Sequence, residues 1–242
     1  MPATVITPIR PTPPLADEFW APAKATLMAG DRLSRAEFER RYEAMPQLKK
    51  AELIEGVVYM PSPILMAHAQ AQGRILAWLA NYQIATPGVD FGGNASVRLD
   101  LDNEVQPDAL LRLQPQVGGS SRLSRKGYVD GAPELVVEIA LSSASYDLHD
   151  KLKVYRRNGA QEYLIWRVLD GALDWFSLEE GNYRPLPATE DGVVCSRVFP
   201  GLWLADPALL QGDLAAVLAV LQDGLRSPEH AAFVENLTAM AT

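Results

Sequence analysis

The stretch "PELVVEIALSS", residues 133 to 143, constrains the fold more than any other part of the chain. Leu135, Val136, Val137, Ile139, Ala140 and Leu141 surround a single ionisable residue, Glu138. A short run that is apolar on both alternating faces predicts a strand covered on both sides, in the interior of a sheet. Setting a carboxylate there costs several kcal/mol of desolvation or forces the group to take up a proton. The rest of the chain must therefore supply both the cover and the compensation for Glu138.

The flanking segments supply the cover. Ser34, with Glu37 three residues on, predicts a capping box opening a short helix that ends near Pro46. "AELIEGVVYMPSP" predicts two strands bent at Gly56 and stopped by Pro61 and Pro63. Met66, Ala69, Ile75, Leu76 and Leu79 share one face of a long helix. Val97, Leu99 and Leu101 alternate with Arg98, Asp100 and Asp102, and the turn Asp102-Asn103-Glu104 predicts a hairpin with the following strand. Residues 114 to 132 read as a long loop, and Leu148, Leu152 and Tyr155 as a helix closed by Gly159. Asp170-Gly171 joins two apolar strands, and residues 191 to 204 add one or two more. Asp206-Pro207 opens a helix through about Gln222, and Ser227-Pro228 opens another. Strand, helix and strand around Glu138 imply a right-handed crossover and an α/β fold, a mixed sheet with helices on its faces.

Six of the 18 prolines fall in residues 1 to 30, which predicts an extended arm outside the core. The main domain is expected over 31 to 210, with a helical extension over 211 to 242 whose apolar surface packs on the core or on a second copy. No apolar run approaches the roughly 20 residues that span a bilayer, and the first residues lack the order of a secretory signal, so a cytoplasmic, non-membrane protein is expected. A net charge of −8 argues against coating by a polyanion. Local basic strips remain at residues 32 to 41, 48 to 50, 122 to 126 and 151 to 157, each also readable as a solvated surface. The single Cys195 excludes an intramolecular disulfide and a cysteine metal cage, and reads as a buried structural thiol. His149 and His230 are expected in solvent. Tyr155, Tyr163 and Trp166 are expected in the core, with Trp175 and Phe176 as candidates for an interface.

The chemistry concentrates around Glu138. Strand alternation places Glu134, Val136, Glu138 and Ala140 on one face, and in "VQPDALLRL" it places Asp108 with Gln106 and Leu110. If these strands pair, Asp108 and Glu138 project from one face, and a divalent cation is the usual means of keeping two such carboxylates ionised. Oxygen ligands of this kind suit Mg²⁺ or Mn²⁺, the ions of phosphodiester hydrolysis. Lys151 lies four residues before Tyr155 on the next helix, placed to add positive charge.

Pro107-Asp108 followed by Glu138 in an apolar strand resembles the PD-(D/E)XK nuclease superfamily. More narrowly, "ELIEG", His68, "QPDALL", "PELVVEIALSS", "DLHDKLKVYRRNGAQEYLIW" and "FPGLWL" resemble, in order over about residues 33 to 210, the Uma-two (Uma2) family of restriction endonuclease-like proteins. The resemblance implies a restriction-endonuclease-like mixed central sheet flanked by helices, dependence on Mg²⁺, a DNA substrate and a homodimer. It implies Asp108 and Glu138 as metal ligands and Lys151 as partner of the scissile phosphate, with Lys153 the weaker candidate. Glu52 becomes an accessory carboxylate, with Glu55 as the alternative, and His68 a water ligand, proton shuttle or structural donor. The chain departs from the pattern at Ala140, where the superfamily's lysine would fall, and at Ser143, Leu164 and Arg167. A competing reading is a nuclease-fold protein without turnover that binds nucleic acid or a protein. A two-carboxylate glycosidase fits poorly, since it has no use for the lysine and no sugar platform is evident.

Overall fold

The computed structural model describes residues 26–60, 64–140 and 147–241. Most of the proline-rich arm, together with Pro61, Pro63 and Ser143, lies outside the described residues. The helices are α1 (Arg35–Glu43), α2 (Met66–Ala85), α3 (Leu152–Asn158), α4 (Asp206–Gln211), α5 (Leu214–Leu225) and α6 (Pro228–Met240). The strands are β1 (Glu52–Ile54), β2 (Val57–Tyr59), β3 (Val89–Gly92), β4 (Val97–Arg98), β5 (Glu104–Val105), β6 (Ala109–Leu113), β7 (Arg122–Leu123), β8 (Val129–Asp130), β9 (Leu135–Ala140), β10 (Glu162–Arg167), β11 (Ala172–Glu179), β12 (Asn182–Pro185), β13 (Val193–Cys195) and β14 (Trp203–Ala205).

The main sheet runs β12-β11-β10-β9-β6-β3. Its one parallel pair is β9 and β10, and the chain between them includes a π-helical turn over Asp147–Lys151 and then α3. The other neighbours are antiparallel, so the sheet is mixed. A second, smaller sheet runs β2-β1-β5-β4-β8-β7, and β13 pairs with β14 in a ribbon.

Every residue of β9 is buried, because each face of the strand meets its own cover. Leu135, Val137 and Ile139 join a core with Ile75, Trp78, Leu79 and Tyr82 of α2 and with Val217, Leu221 and Leu237 of the C-terminal helices. On the opposite face, Val136 and Ala140 pack with Val154 and Tyr155 of α3 and with Ile54, Val97, Val105 and Val129 of the second sheet. Glu138 shares this second face, between the main sheet, the second sheet and α3.

Several local expectations are corrected. Ser34 occupies the N-cap position of α1, but its side chain caps nothing, since Glu37 is drawn instead to Arg40 and Arg41. Residues 97 to 113 are not one hairpin: β4 and β5 pair in the second sheet, and the chain then crosses at Gln106-Pro107 to enter the main sheet as β6. Proline lacks the N–H a continuing ladder would need. The loop over 114 to 132 contains a 3₁₀ turn at Pro115–Val117 and two short strands, β7 and β8. The helix predicted from Asp206 to about Gln222 breaks at Gly212, whose φ of 81° is left-handed, and restarts behind Asp213, which accepts from Ala216 N–H. His230 is buried, not exposed, with Nδ1 3.0 Å from the Leu225 carbonyl oxygen and Nε2 3.0 Å from the Thr86 hydroxyl. Trp175 is also buried, edge-on to Trp78, rather than presented to a partner.

Candidate active site

β6 and β9 pair antiparallel with Ala109 opposite Val137 and Leu110 opposite Val136, so the register carries Asp108 opposite Glu138. Opposite residues of an antiparallel pair share a face. Asp108 and Glu138 therefore emerge on the same side at the end of the ladder. Both are buried, at 5% and 2% exposure.

Each carboxylate has its own set of partners. Asp108 Oδ2 accepts from the Ile139 N–H at 2.8 Å and faces His68 Nε2 at 3.4 Å, while Oδ1 lies 3.8 Å from Lys50 Nζ. Burial alone would raise the Asp108 pKa, but the His68 contact, the Lys50 charge and the Ile139 N–H outweigh it and hold the carboxyl below its usual value. Glu138 Oε1 accepts from Lys151 Nζ at 2.9 Å and from the Tyr155 hydroxyl at 2.8 Å. Burial, followed by the nearby charges of Glu138 and Glu52, pushes the Tyr155 phenol well above its usual range, which fixes it as a neutral donor.

Glu52 reaches the same cluster from β1. Its Oε1 accepts from the Gln106 N–H at 2.7 Å and lies 3.0 Å from Lys151 Nζ. Lys151, only 2% exposed at the junction of the π-helical turn and α3, thus bridges Glu52 and Glu138. A pair of buried carboxylates sharing one ammonium is tolerable where either alone would be strongly penalised.

The alternatives lie outside this cluster. Glu55 occupies the β1–β2 turn with φ of 50°, exposes its side chain and pairs with Arg157. Lys153 is exposed and pairs with Asp150. His68 adjoins Asp108 through Nε2, and its Nδ1 is buried without a hydrogen-bond partner among the described residues. Sequence reasoning missed three contributors. Lys50 was visible only as part of a basic strip, and Tyr155 only as a core aromatic. Gln72, which donates to the Asp108 carbonyl at 3.0 Å, carried a signal in its position four residues after His68 on the same helix.

As a donor set, Asp108 and Glu138 offer hard oxygen ligands on one face, the number of carboxylates that Mg²⁺ commonly takes before water and phosphate complete its shell. Among the described residues, no three His, Cys, Asp or Glu side chains form a closed metal cage. Two carboxylates fit a hard dication held partly by its substrate, and not a tetrahedral zinc site.

The sequence matches the model of the Uma2 family, described as "Putative restriction endonuclease", over residues 35–207. The chain belongs to the Uma2 family. No curated protein matches it in sequence. Among solved structures, the Uma2 chain is similar to one described as a "putative nuclease belonging to DUF820" from Anabaena variabilis ATCC 29413. That match has a TM-score of 0.53 at 11% identity and covers 75% of this chain and 97% of the other. At such low identity the likeness establishes the nuclease-like fold alone, and within that fold the Uma2 chain places the Asp108, Glu138, Lys151 and Glu52 cluster where its two sheets meet.

Proposed function

We propose that this Uma2 protein is a divalent-metal-dependent endonuclease that hydrolyses DNA phosphodiester bonds. In this reading Asp108 and Glu138 hold Mg²⁺ or Mn²⁺, Lys151 meets the scissile phosphate, Glu52 is the accessory carboxylate, and His68 and Lys50 steady Asp108. The observation that carries it is the register of β6 on β9, which sets Asp108 opposite Glu138 while Glu138 binds the same ammonium as Glu52.

When bound, the ion supplies an acidified water and neutralises charge gathering on phosphate oxygens. The protein's own groups do the rest. The Ile139 N–H fixes Asp108 Oδ2, and the Gln72 amide fixes the Asp108 main chain, so the carboxylate is oriented from two directions. Tyr155 donates to Glu138 and holds its rotamer. Lys151 offers an ammonium that stays beside the carboxylates in the resting protein and can stabilise charge on phosphate as substrate enters. His68 Nδ1 retains a lone pair or a proton with no partner among the described residues, which suits it to a water.

The reading includes a nuclease-like domain over 31 to 210, an arm over 1 to 30 and helices over 211 to 242. It also includes action in the cytoplasm, and a homodimer where both strands are cut, since two strands call for two sites related by symmetry. None of the described helices is long and apolar enough to cross a membrane.

Incubating purified protein with supercoiled and single-stranded DNA plus Mg²⁺ or Mn²⁺ tests the proposal. Cleavage that falls about 100-fold or more in Glu138→Gln supports it, by the size typical of losing a charge-stabilising group. Equal traces of cleavage in both proteins would overturn it. One observation favours a second reading: Lys151 is engaged by two buried carboxylates, so the cluster also works as a staple. A binding module without turnover would retain DNA under the same conditions and leave it intact.

A further inference from the structure

Beside the carboxylate cluster lies a cavity of about 290 Å³, lined among others by Tyr42, Lys49, Asn94, Ser96, Gln106 and Tyr128. It is an open cleft rather than an enclosed chamber, with much of its volume facing solvent. Gln106 joins the two places. Its main-chain N–H binds Glu52 at 2.7 Å, whereas its side chain lines the cavity and donates to Ser96 at 3.0 Å and Tyr42 at 3.3 Å. Gln106 is buried to 6% exposure, yet its Oε1 has no hydrogen-bond partner among the described residues. The oxygen is not itself sealed from solvent, so it is the acceptor the cavity wall presents to an occupant. The side-chain amide of Asn94, held in a left-handed conformation at φ 53°, likewise makes no hydrogen bond to another described residue.

The walls match a flat, polar-edged ring. Tyr42 and Tyr128 supply aromatic surface, and the Arg98 guanidinium carbon sits 4.0 Å from the centroid of Tyr128, which holds that ring in place. Lys49 at the rim is exposed and its neighbour Lys50 reaches Asp108, while the Glu43 carboxylate that also lines the cavity is paired with Lys126. Aromatic faces for stacking, paired amides for a hydrogen-bonding edge and lysines for phosphate are the three elements of single-strand base recognition.

We propose that this cavity is a nucleobase subsite: it takes a base of the substrate strand next to the scissile phosphate, packed against Tyr42 and Tyr128 and read on its edge by Gln106 and Asn94. The inference rests on the nuclease reading only in bringing DNA to the cleft. Base identity at this position sets affinity, because the amides discriminate edges while the lysines do not.

The test is fluorescence anisotropy with labelled single-stranded octamers of deoxyadenosine, deoxycytidine and thymidine in EDTA, for the wild type, Gln106→Leu and Asn94→Gly. Gln106→Leu keeps the main-chain N–H on Glu52, and Asn94→Gly suits the positive φ, so Asn94→Gly carries the test if Gln106→Leu fails to fold. The wild type is expected to separate the strongest from the weakest octamer by roughly tenfold, the discrimination that one made or unmade hydrogen bond to a base edge supplies, and a folded variant is expected to lose most of that spread. Equal binding of all three by the wild type, no binding at all, as a peptide site would give, or a spread that survives in both folded variants would overturn the subsite. Plasmid cleavage in Mg²⁺ separates the two proposals. Cleavage with uniform octamer binding sinks the subsite alone, and base-dependent binding without cleavage sinks the nuclease alone.

Discussion

Glu138 is stabilised by two donors on one oxygen, and each makes a separable contribution. Tyr155→Phe removes one charge-assisted hydrogen bond and no bulk, so urea unfolding is expected to show a loss of about 2 kcal/mol. Lys151→Met is more severe, because it leaves Glu138 and Glu52 buried without their shared cation; a loss of about 3–5 kcal/mol is expected. Much of that loss should return in the double variant Lys151→Met with Glu138→Gln, and failure to recover any would mean that the pairing is not what stabilises the cluster. The residues of this cluster differ in how legible they were. Alternation in two strands was enough to place Asp108 and Glu138 on matching faces. The choice between Glu52 and Glu55 was not readable, because it depends on a tight turn that ends β1 at Ile54 and turns Glu55 outward. Glu134, just before β9, and Glu162, on β10, are buried acids of the main sheet, yet they lie outside the cluster. Instead Glu134 accepts from the Leu113 and Ser120 N–H groups and the Ser120 hydroxyl, and Glu162 from Arg197, Val198, Ser196 and Trp175, so both serve as loop anchors.

At the level of elements, periodicity located most helices and strands, while the partners of the short strands escaped it. β4 and β5 have two residues each, too few for alternation to specify which sheet receives the next segment. The break between α4 and α5 was written in Gly212-Asp213, a left-handed terminator followed directly by an N-cap, but the apolar spacing on either side masked it. Asp213→Ala is expected to cost about 1 kcal/mol by exposing the Ala216 N–H, measured as a shift in the denaturation midpoint at unchanged slope. Gly212→Ala is expected to cost at least as much, about 1–3 kcal/mol, since the residue sits at φ 81° in the left-handed region.

Over the whole molecule, two buried groups give stability opposite dependences on pH. Burial, then repulsion from Glu39, raises Glu104 to about 7 against the pull of Arg98. It holds a proton more tightly when folded, so its contribution is full below the ordinary carboxylate range and is lost as pH rises towards about 7. Burial lowers the pKa of His230 more than its Leu225 partner raises it, so that contribution is present above about 6.5 and is lost as pH falls. Urea midpoints between pH 5 and 8 should show Glu104→Gln removing a decline that runs from pH 5 up to about 7, and His230→Gln removing a loss that sets in as pH falls below about 6.5. The carboxylate cluster has a different consequence at this scale. Its hydrogen bonds join Glu52 to Gln106 across 54 positions and Asp108 to Ile139 across 31, and Lys151 and Tyr155 enter last in the chain. Such long closures form late in folding. During synthesis, then, the cluster stays unfinished until the stretch beyond Tyr155 has left the ribosome, and a product terminated before Lys151 lacks the ammonium that Glu52 and Glu138 share.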